Sequence, residues 1–310
     1  MKDTVVCLDE KTGTEYWERD FAFPKVSMHE ASGTPCVAEG RCLVNGTMAC
    51  YCLDAATGDL IWAKNPGVDA EVCSSFALVA GVAVVLGGEA HGYDLRTGAL
   101  LWKASDPGGW ARGISSAVEC PGDRIIYGGK YRLCCLEART GKVVWELPGG
   151  GKGFSDYGLT PLVSGDLLIA LSRGELRGFG LSSEKPEELW HIPYGEEDST
   201  PAADSNFVYL VNPGFIHLDG DGARATGHKS QFTIRCCELK SGKAVWETRI
   251  GQCEYSSPVV VNRRVFALTD NAAGIAMLDA RDGRVLGTAD VGAVRWTSPA
   301  RSDRGGARVR

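Results

Sequence analysis

The chain has 310 residues, which is long for a single ordinary core but suits a barrel, a large sandwich or a repeat ring. Hydrophobic residues make up 44% of it and charged residues 23%, a globular composition. The net charge of -6 argues against a general nucleic-acid binder, which needs a basic face. No apolar run approaches the roughly 18 residues of a membrane span. The first residues lead into a strand with no signal peptide.

One motif recurs along the whole chain. An apolar strand such as Thr4-Val5-Val6-Cys7-Leu8 leads to an acidic residue, a short turn and a glycine, and in five copies a tryptophan follows the glycine by four residues. The motif residues are Asp9, Gly13 and Trp17; Asp54, Gly58 and Trp62; Asp94, Gly98 and Trp102; Glu137, Gly141 and Trp145; Glu238, Gly242 and Trp246; and Asp279 with Gly283. A seventh copy, from Gly180 to Trp190, has lost its Thr-Gly but keeps the tryptophan.

Each motif residue has a structural task. The carboxylate starts a turn by accepting bonds from backbone N–H groups. The glycine takes the positive φ that closes the hairpin. The tryptophan lies on the next strand and is large enough to bridge neighbouring sheets. We therefore interpret these residues as structural rather than catalytic.

The spacing of the motif predicts the fold. Successive tryptophans mostly stand about 40 to 45 residues apart, the size of a four-stranded propeller blade. A Ser-Ser or Ser/Thr-Pro pair begins most repeats, and it is found at Thr34-Pro35, Ser115-Ser116, Thr160-Pro161, Thr200-Pro201, Ser257-Pro258 and Ser298-Pro299. We expect an all-β protein: one β-propeller domain over residues 1–310, built from four-stranded antiparallel blades, with both termini inside a blade.

The Leu-Asp-x-x-Thr-Gly-x-x-x-Trp core resembles the repeat of the pyrroloquinoline-quinone-like (PQQ-like) propeller family. That family contains quinone-dependent alcohol and glucose dehydrogenases as well as non-enzymatic propellers, such as the scaffold lipoprotein of the outer-membrane barrel-assembly machinery. The resemblance implies the fold and a location in the periplasm or cell envelope, and it does not decide between catalyst and scaffold.

The number of blades stays open. The C-terminal strands can pair with Thr4 to Leu8 and close a seven-bladed ring, or the chain can belong to an eight-bladed parent with incomplete ends, the usual number in the family. The segment Arg301 to Arg310 is a poor strand, which slightly favours the second interpretation.

A quinone-dependent enzyme would need a specific set of groups, and the sequence can be searched for them. The resemblance implies, for the dehydrogenases, a calcium ion, a catalytic Asp, a stacking Trp and often a disulfide between adjacent cysteines. The adjacent pairs here are Cys134-Cys135 and Cys236-Cys237, and neighbouring strand residues point to opposite faces, so neither pair bonds easily to itself. Cys7, Cys52, Cys135 and Cys236 share one register, which indicates small buried apolar residues. We expect no metal site and no cofactor.

Loops that precede the Ser/Thr starts should gather at one mouth of the central channel. Their charged and aromatic residues can hold a cation or a polar ligand, or form an ordinary solvated rim. These candidate ligand-binding residues are His29, Glu30, Glu71, Arg112, Asp156, Tyr157, Glu196, Asp198, Glu254, Tyr255, Arg295 and Trp296.

A long insertion from Pro213 to Gln231 is expected to form a protruding hairpin or loop that contacts a partner. Its Asp219-Gly220-Asp221-Gly222 lacks the glutamate of a calcium loop.

Two functions remain. The favoured one is a monomeric, non-catalytic propeller that binds an unknown protein or small polar ligand through its mouth loops. The alternative is a quinone-dependent oxidoreductase or its relic. A weaker third idea is saccharide binding by Tyr157, Tyr255 and Trp296.

Overall fold

The computed structural model describes most of the chain. The described residues are 2–22, 33–47, 49–65, 74–87, 89–105, 115–128, 132–148, 160–172, 175–182, 185–194, 199–213, 217–219, 222–224, 232–251, 257–269 and 274–290. Within these ranges every regular element is a β-strand, and no helix there is long and apolar enough to cross a membrane.

The strands form seven successive sheets, which we call blades 1 to 7. Blade 1 has two strands, β1 (Lys2–Leu8) and β2 (Glu15–Ala22). Blades 2 to 4 have four strands each: β3 (Cys36–Ala38), β4 (Arg41–Asn45), β5 (Cys50–Asp54) and β6 (Leu60–Lys64); β7 (Ala77–Val79), β8 (Val82–Gly87), β9 (Glu89–Asp94) and β10 (Leu100–Ser105); β11 (Val118–Cys120), β12 (Arg124–Gly128), β13 (Arg132–Glu137) and β14 (Val143–Pro148).

Blades 5 to 7 repeat the same plan. Their strands are β15 (Leu162–Ser164), β16 (Leu167–Ser172), β17 (Glu175–Gly180) and β18 (Glu187–Pro193); β19 (Ala202–Ala203), β20 (Phe207–Pro213), β23 (Phe232–Glu238) and β24 (Ala244–Gly251); β25 (Val259–Val261), β26 (Arg264–Thr269), β27 (Gly274–Asp279) and β28 (Val285–Asp290). A separate antiparallel hairpin, β21 (His217–Asp219) with β22 (Gly222–Arg224), interrupts blade 6 between β20 and β23. The predicted hairpin at the long insertion is therefore present.

Neighbouring strands of each blade are antiparallel and follow one another in chain order. The short first strands contact one another from blade to blade, β3 with β7, β7 with β11, β11 with β15, β15 with β19 and β19 with β25. They therefore line a central axis, and the predicted β-propeller is confirmed. Blade 1 departs from the expected four strands, because the described residues supply it with β1 and β2 alone.

Because neighbouring strands of a blade are antiparallel, each connection lies at one of the two ends of the ring. The turns from first to second and from third to fourth strand lie at one end, which we call the motif end. The connections from second to third strand and from blade to blade lie at the opposite end, which we call the mouth end. The β21–β22 hairpin joins a second strand to a third, so it belongs to the mouth end.

The core lies between the blades rather than within a single layer. One apolar cluster joins blades 3 and 4 through Trp102, Val84, Ile125 and Leu136, and similar clusters fill the other interfaces. Ile125 and Leu136 are fully buried, as are the hydrophobic residues at the same register in most blades. Blades 2 to 6 therefore bury both faces against their neighbours, as the stacked sheets of a propeller require.

The residue opposite each tryptophan is small. Cys52 pairs with Trp62 and Cys135 with Trp145, and both cysteines are buried. Gly92 pairs with Trp102, and a Cβ on that glycine would collide with the indole ring. The shared cysteine register thus reflects the limited space beneath a bulky side chain.

Candidate functional site

The motif turns lie at one end of the ring, and the hydrogen-bonding groups of each turn are paired with side chains of the same turn. The Asp9 carboxylate accepts hydrogen bonds from the backbone N–H groups of Lys11 and Thr12, the Thr12 hydroxyl and the Tyr16 hydroxyl. These bonds, the Tyr16 one above all, lower the pKa of Asp9 to about 2. The Thr97 hydroxyl and backbone lower the pKa of Asp94 in the same way. Such turns hold the hairpin closed and leave their carboxylates engaged.

Motif tryptophans join each blade to the next. In five interfaces the indole Nε1–H donates to the carbonyl oxygen of the residue after the motif acid: Trp17 to Ala55 (3.1 Å), Trp62 to Leu95 (3.1 Å), Trp102 to Ala138 (2.8 Å), Trp190 to Leu239 (3.1 Å) and Trp246 to Ala280 (3.1 Å). The indole also covers the motif glycine of that next blade. Gly58, for example, has φ +73°, and a Cβ there would lie 2.6 Å from the Trp17 ring.

Two interfaces depart from this pattern. Blade 5 has no motif glycine beneath Trp145, which packs instead in an apolar cluster with Leu168 and Phe179. Blade 7 carries Gly287 where other blades carry the tryptophan, and no atom lies within 4 Å of a Cβ built on Gly13. The repeat therefore varies most at these two positions.

Hydroxyl groups link the inner strands at the mouth end. The backbone N–H of Thr34 donates to Ser75 Oγ (2.8 Å), that of Ser75 to Ser116 Oγ (2.8 Å), and that of Ser116 to Thr160 Oγ1 (3.0 Å). Thr200 likewise donates to Ser257 Oγ (2.9 Å). These residues begin the innermost strands, so the bonds run from blade to blade around the axis.

Ser75 was not predicted as a start, although Ser74-Ser75 is a Ser-Ser pair like Ser115-Ser116. Its spacing contained the signal: Thr34, Ser75 and Ser116 are separated by 41 residues each.

The twelve predicted ligand-binding residues all lie outside the described residues: His29, Glu30, Glu71, Arg112, Asp156, Tyr157, Glu196, Asp198, Glu254, Tyr255, Arg295 and Trp296. They occupy the connections that lead from one blade into the next Ser/Thr start. Their convergence on a ligand stays a prediction.

Buried polar groups accompany the hydroxyl bonds. The Asn45 Nδ2 group donates to the carbonyl oxygen of Ser74 (2.9 Å), and both residues are nearly inaccessible. His91 is 1% exposed, and its ring stacks on Tyr93 with the ring centres 6.0 Å apart. Its Nε2 lies 3.8 Å from the Glu89 carboxylate. Burial lowers the pKa of His91 below its ordinary value, so the imidazole is held neutral. Sequence reasoning did not identify this histidine.

The two cysteines of each adjacent pair lie in different blade interfaces. Cys134 belongs to the apolar cluster between blades 3 and 4, whereas Cys135 belongs to the one between blades 4 and 5. Cys236 and Cys237 are divided in the same way, and all four are free thiols. Within the described part of the chain, no group of three or more His, Cys, Asp or Glu residues could hold a metal ion.

Comparison with known proteins supports the fold and the repeat. The family model described as "Outer membrane protein assembly factor BamB" matches residues 86–227. No curated protein matches the chain.

Three solved structures are similar. BamB from Moraxella catarrhalis has a TM-score of 0.65 at 17% identity, over 90% of this chain and 78% of that one. A europium-containing methanol dehydrogenase has a TM-score of 0.69 at 14% identity, over 94% and 75%. Quinohemoprotein alcohol dehydrogenase from Comamonas testosteroni has a TM-score of 0.69 at 13% identity, over 93% and 64%.

These neighbours include an assembly factor and two dehydrogenases, and at such low identities they establish the fold alone. The repeat, the family-model match over residues 86–227 and the shared fold together support a PQQ-like β-propeller.

Proposed function

We propose that the protein is a non-catalytic scaffold that binds a protein partner with the mouth end of its propeller. By analogy with the assembly factor whose family model it matches, we place it in the cell envelope, in the assembly of outer-membrane proteins. The twelve predicted ligand-binding residues in the connections between blades would supply the polar part of the contact.

The β21–β22 hairpin is the observation that carries this proposal. In the described four-stranded blades the second and third strands are otherwise joined by short turns, as between Gly87 and Glu89 or between Ser172 and Glu175. In blade 6 the connection spans residues 214–231 and forms its own two-stranded sheet. Within the described residues this hairpin pairs with no blade strand, so it does not extend any blade of the ring. An inserted hairpin of this kind is a common site of partner contact.

The motif end is a poorer candidate for binding. Its carboxylates accept bonds from the turns that contain them, and its carbonyl groups accept the indole N–H groups of the preceding blade. These groups are therefore already engaged by the protein itself.

Replacement of the hairpin tests the proposal. Residues 214–231 would be exchanged for Arg173-Gly174, which join β16 to β17 in blade 5. We expect the shortened protein to fold but to lose at least about tenfold in affinity (about 1.4 kcal/mol) for the purified outer-membrane protein assembly machinery of the same organism. Arg281→Ala at the exposed motif end is the control and should bind like the parent. Equal affinity of the shortened and parent proteins would contradict the proposal.

The second candidate function is that of a quinone-dependent oxidoreductase, because the fold of this chain is similar to two dehydrogenase structures. Calorimetric titration with PQQ and calcium separates the two functions. Tight, calcium-dependent, one-to-one binding would support the enzyme, whereas no heat at high micromolar ligand would remove it.

A further inference from the structure

We propose that Asn45 is a deamidation site whose reaction is held back by the contact between blades 2 and 3. Asn45-Gly46 is the only Asn-Gly pair in the sequence. Because glycine has no Cβ, its backbone nitrogen can approach the side-chain carbonyl carbon of the preceding asparagine with little steric hindrance. An Asn-Gly pair in a flexible chain therefore reacts more readily than asparagine before a larger residue.

The reaction is a ring closure followed by hydrolysis. The Gly46 backbone nitrogen loses its proton and attacks Asn45 Cγ. The bond from Cγ to the side-chain nitrogen then breaks, and ammonia leaves with the proton. Water opens the resulting succinimide at either carbonyl group, which gives aspartate or isoaspartate at position 45. Water is the only other reactant, and no oxidant or reductant is needed.

Three hydrogen bonds oppose ring closure in the folded protein. The Asn45 Nδ2 group donates to the carbonyl oxygen of Ser74 (2.9 Å), and the Cys50 thiol donates to Asn45 Oδ1 (3.2 Å). The Gly46 N–H, whose proton must leave before attack, donates to the carbonyl oxygen of Ala49 (2.9 Å). Asn45 is 2% exposed, so the water that completes the reaction has little access. Both reacting groups are therefore engaged elsewhere.

Blade 1 fixes the backbone around Gly46 from the other side. The Asp3 carboxylate accepts hydrogen bonds from the backbone N–H (2.8 Å) and the hydroxyl (2.7 Å) of Thr47. A Cβ on Gly46 would lie 2.6 Å from Asp3 Oδ2 and 2.5 Å from the Tyr51 ring. The packing therefore requires glycine at this position, and the reactive pair is kept under control by the contacts around it.

The product would not fit this site. A carboxylate only accepts hydrogen bonds, whereas the Asn45 amide donates to the buried carbonyl oxygen of Ser74. Deamidation would set a buried negative charge against that carbonyl, which is unfavourable. Ser74 precedes Ser75, which accepts from the Thr34 N–H and donates to Ser116 Oγ in the hydroxyl chain around the axis. The reaction would therefore loosen the mouth end between blades 2 and 3, and it would do so irreversibly.

Mass spectrometry that distinguishes asparagine, aspartate and isoaspartate measures the reaction on the full chain at neutral pH. In the parent, deamidation at position 45 should be at least about tenfold slower in buffer than in urea that unfolds the protein, because the native contact must open first. Cys50→Ala removes the donor to Asn45 Oδ1 and should raise the rate in buffer about fivefold.

Cys236→Ala is the matched control, because it removes an equally buried thiol from blade 6. It should leave the rate at position 45 unchanged. Equal rates in buffer and in urea would overturn the proposal, and so would equal rates for the parent and Cys50→Ala. The comparison of buffer with urea needs no substitution, so it decides the matter even if Cys50→Ala does not fold.

Stability measurements test the consequence of the reaction. Asn45→Asp reproduces the product and should lower the urea midpoint of unfolding, whereas Asn262→Asp, the same change in an exposed turn, should not. An unchanged midpoint for Asn45→Asp would contradict the argument that the carboxylate does not fit. None of these results depends on the partner contact proposed above, which involves the hairpin of blade 6.

Discussion

The indole-on-glycine contact makes a quantitative prediction about Gly141. This glycine has φ +68°, and a Cβ built on it would lie 2.6 Å from the Trp102 ring. An alanine there incurs about 1 kcal/mol for the left-handed backbone and about 1–3 kcal/mol for overpacking against the indole. Displacement of the indole also weakens the 2.8 Å bond from Trp102 to Ala138, which is worth about 1 kcal/mol. We therefore expect Gly141→Ala to lower the free energy of unfolding by about 3–5 kcal/mol in total.

Gly13 is the matched control, because it has the same motif position and φ +69° but no atom within 4 Å of a built Cβ. Gly13→Ala should lose about 1 kcal/mol, from the backbone alone. Gly81, in blade 3, has φ +77° and an equally open position, so it provides the same control inside the ring. Urea denaturation followed by tryptophan fluorescence measures all three. Similar losses for Gly141→Ala and the controls would refute the argument that the indole, rather than the backbone, makes this glycine necessary.

Three further predictions concern buried groups. Because burial lowers the folded-state pKa of His91, the stability should be fully present above the unfolded pKa of about 6.5 and should fall as the pH drops below it. His91→Phe should flatten this dependence in urea titrations at about pH 5 to 8, and an unchanged dependence would contradict the assignment. Ser116→Ala removes the acceptor of the Ser75 N–H and should cost about 1–2 kcal/mol, against no measurable loss for the exposed Ser205→Ala; equal urea midpoints would contradict a role for the hydroxyl bonds. Eight thiols are buried, and burial raises the pKa of Cys50 and Cys236 to about 12. Because Ellman's reagent cannot reach a buried thiol in the native state, at most four of the 12 cysteines should react before denaturant is added. Rapid reaction of more than four would show that the blade interfaces open.

The fold could be predicted from the repeat because the turn residues of each copy act on backbone groups close to them in the sequence. Asp9, Gly13 and their equivalents sit at fixed offsets, and turn chemistry of this kind can be read from a single chain. The interpretation of the cysteine register is confirmed for Cys52, Cys135 and Cys236, which are buried, whereas Cys7 is only half-buried. Each of these cysteines faces a tryptophan across one strand pair. The inter-blade partners were beyond reach: that Trp102 donates to Ala138, or Ser75 to Ser116, depends on how one sheet stacks on the next.

The candidate site was harder to predict for a related reason. The mouth residues come from connections of different length and composition, and no shared offset relates His29 to Glu254 or Trp296. His91 gave no sequence signal because it occupies an ordinary strand position, where Tyr51 and Cys134 stand in blades 2 and 4.

Site-specific photo-crosslinking tests the central claim most directly. A photoreactive residue would replace Leu218 in the β21–β22 hairpin and, in a second protein, Glu10 in an exposed motif turn. In cells of the source organism, we predict a discrete crosslink to a component of the outer-membrane protein assembly machinery from position 218 and none from position 10. Crosslinks to that machinery from position 10 alone, or from neither position, would contradict a scaffold that binds its partner with the mouth end.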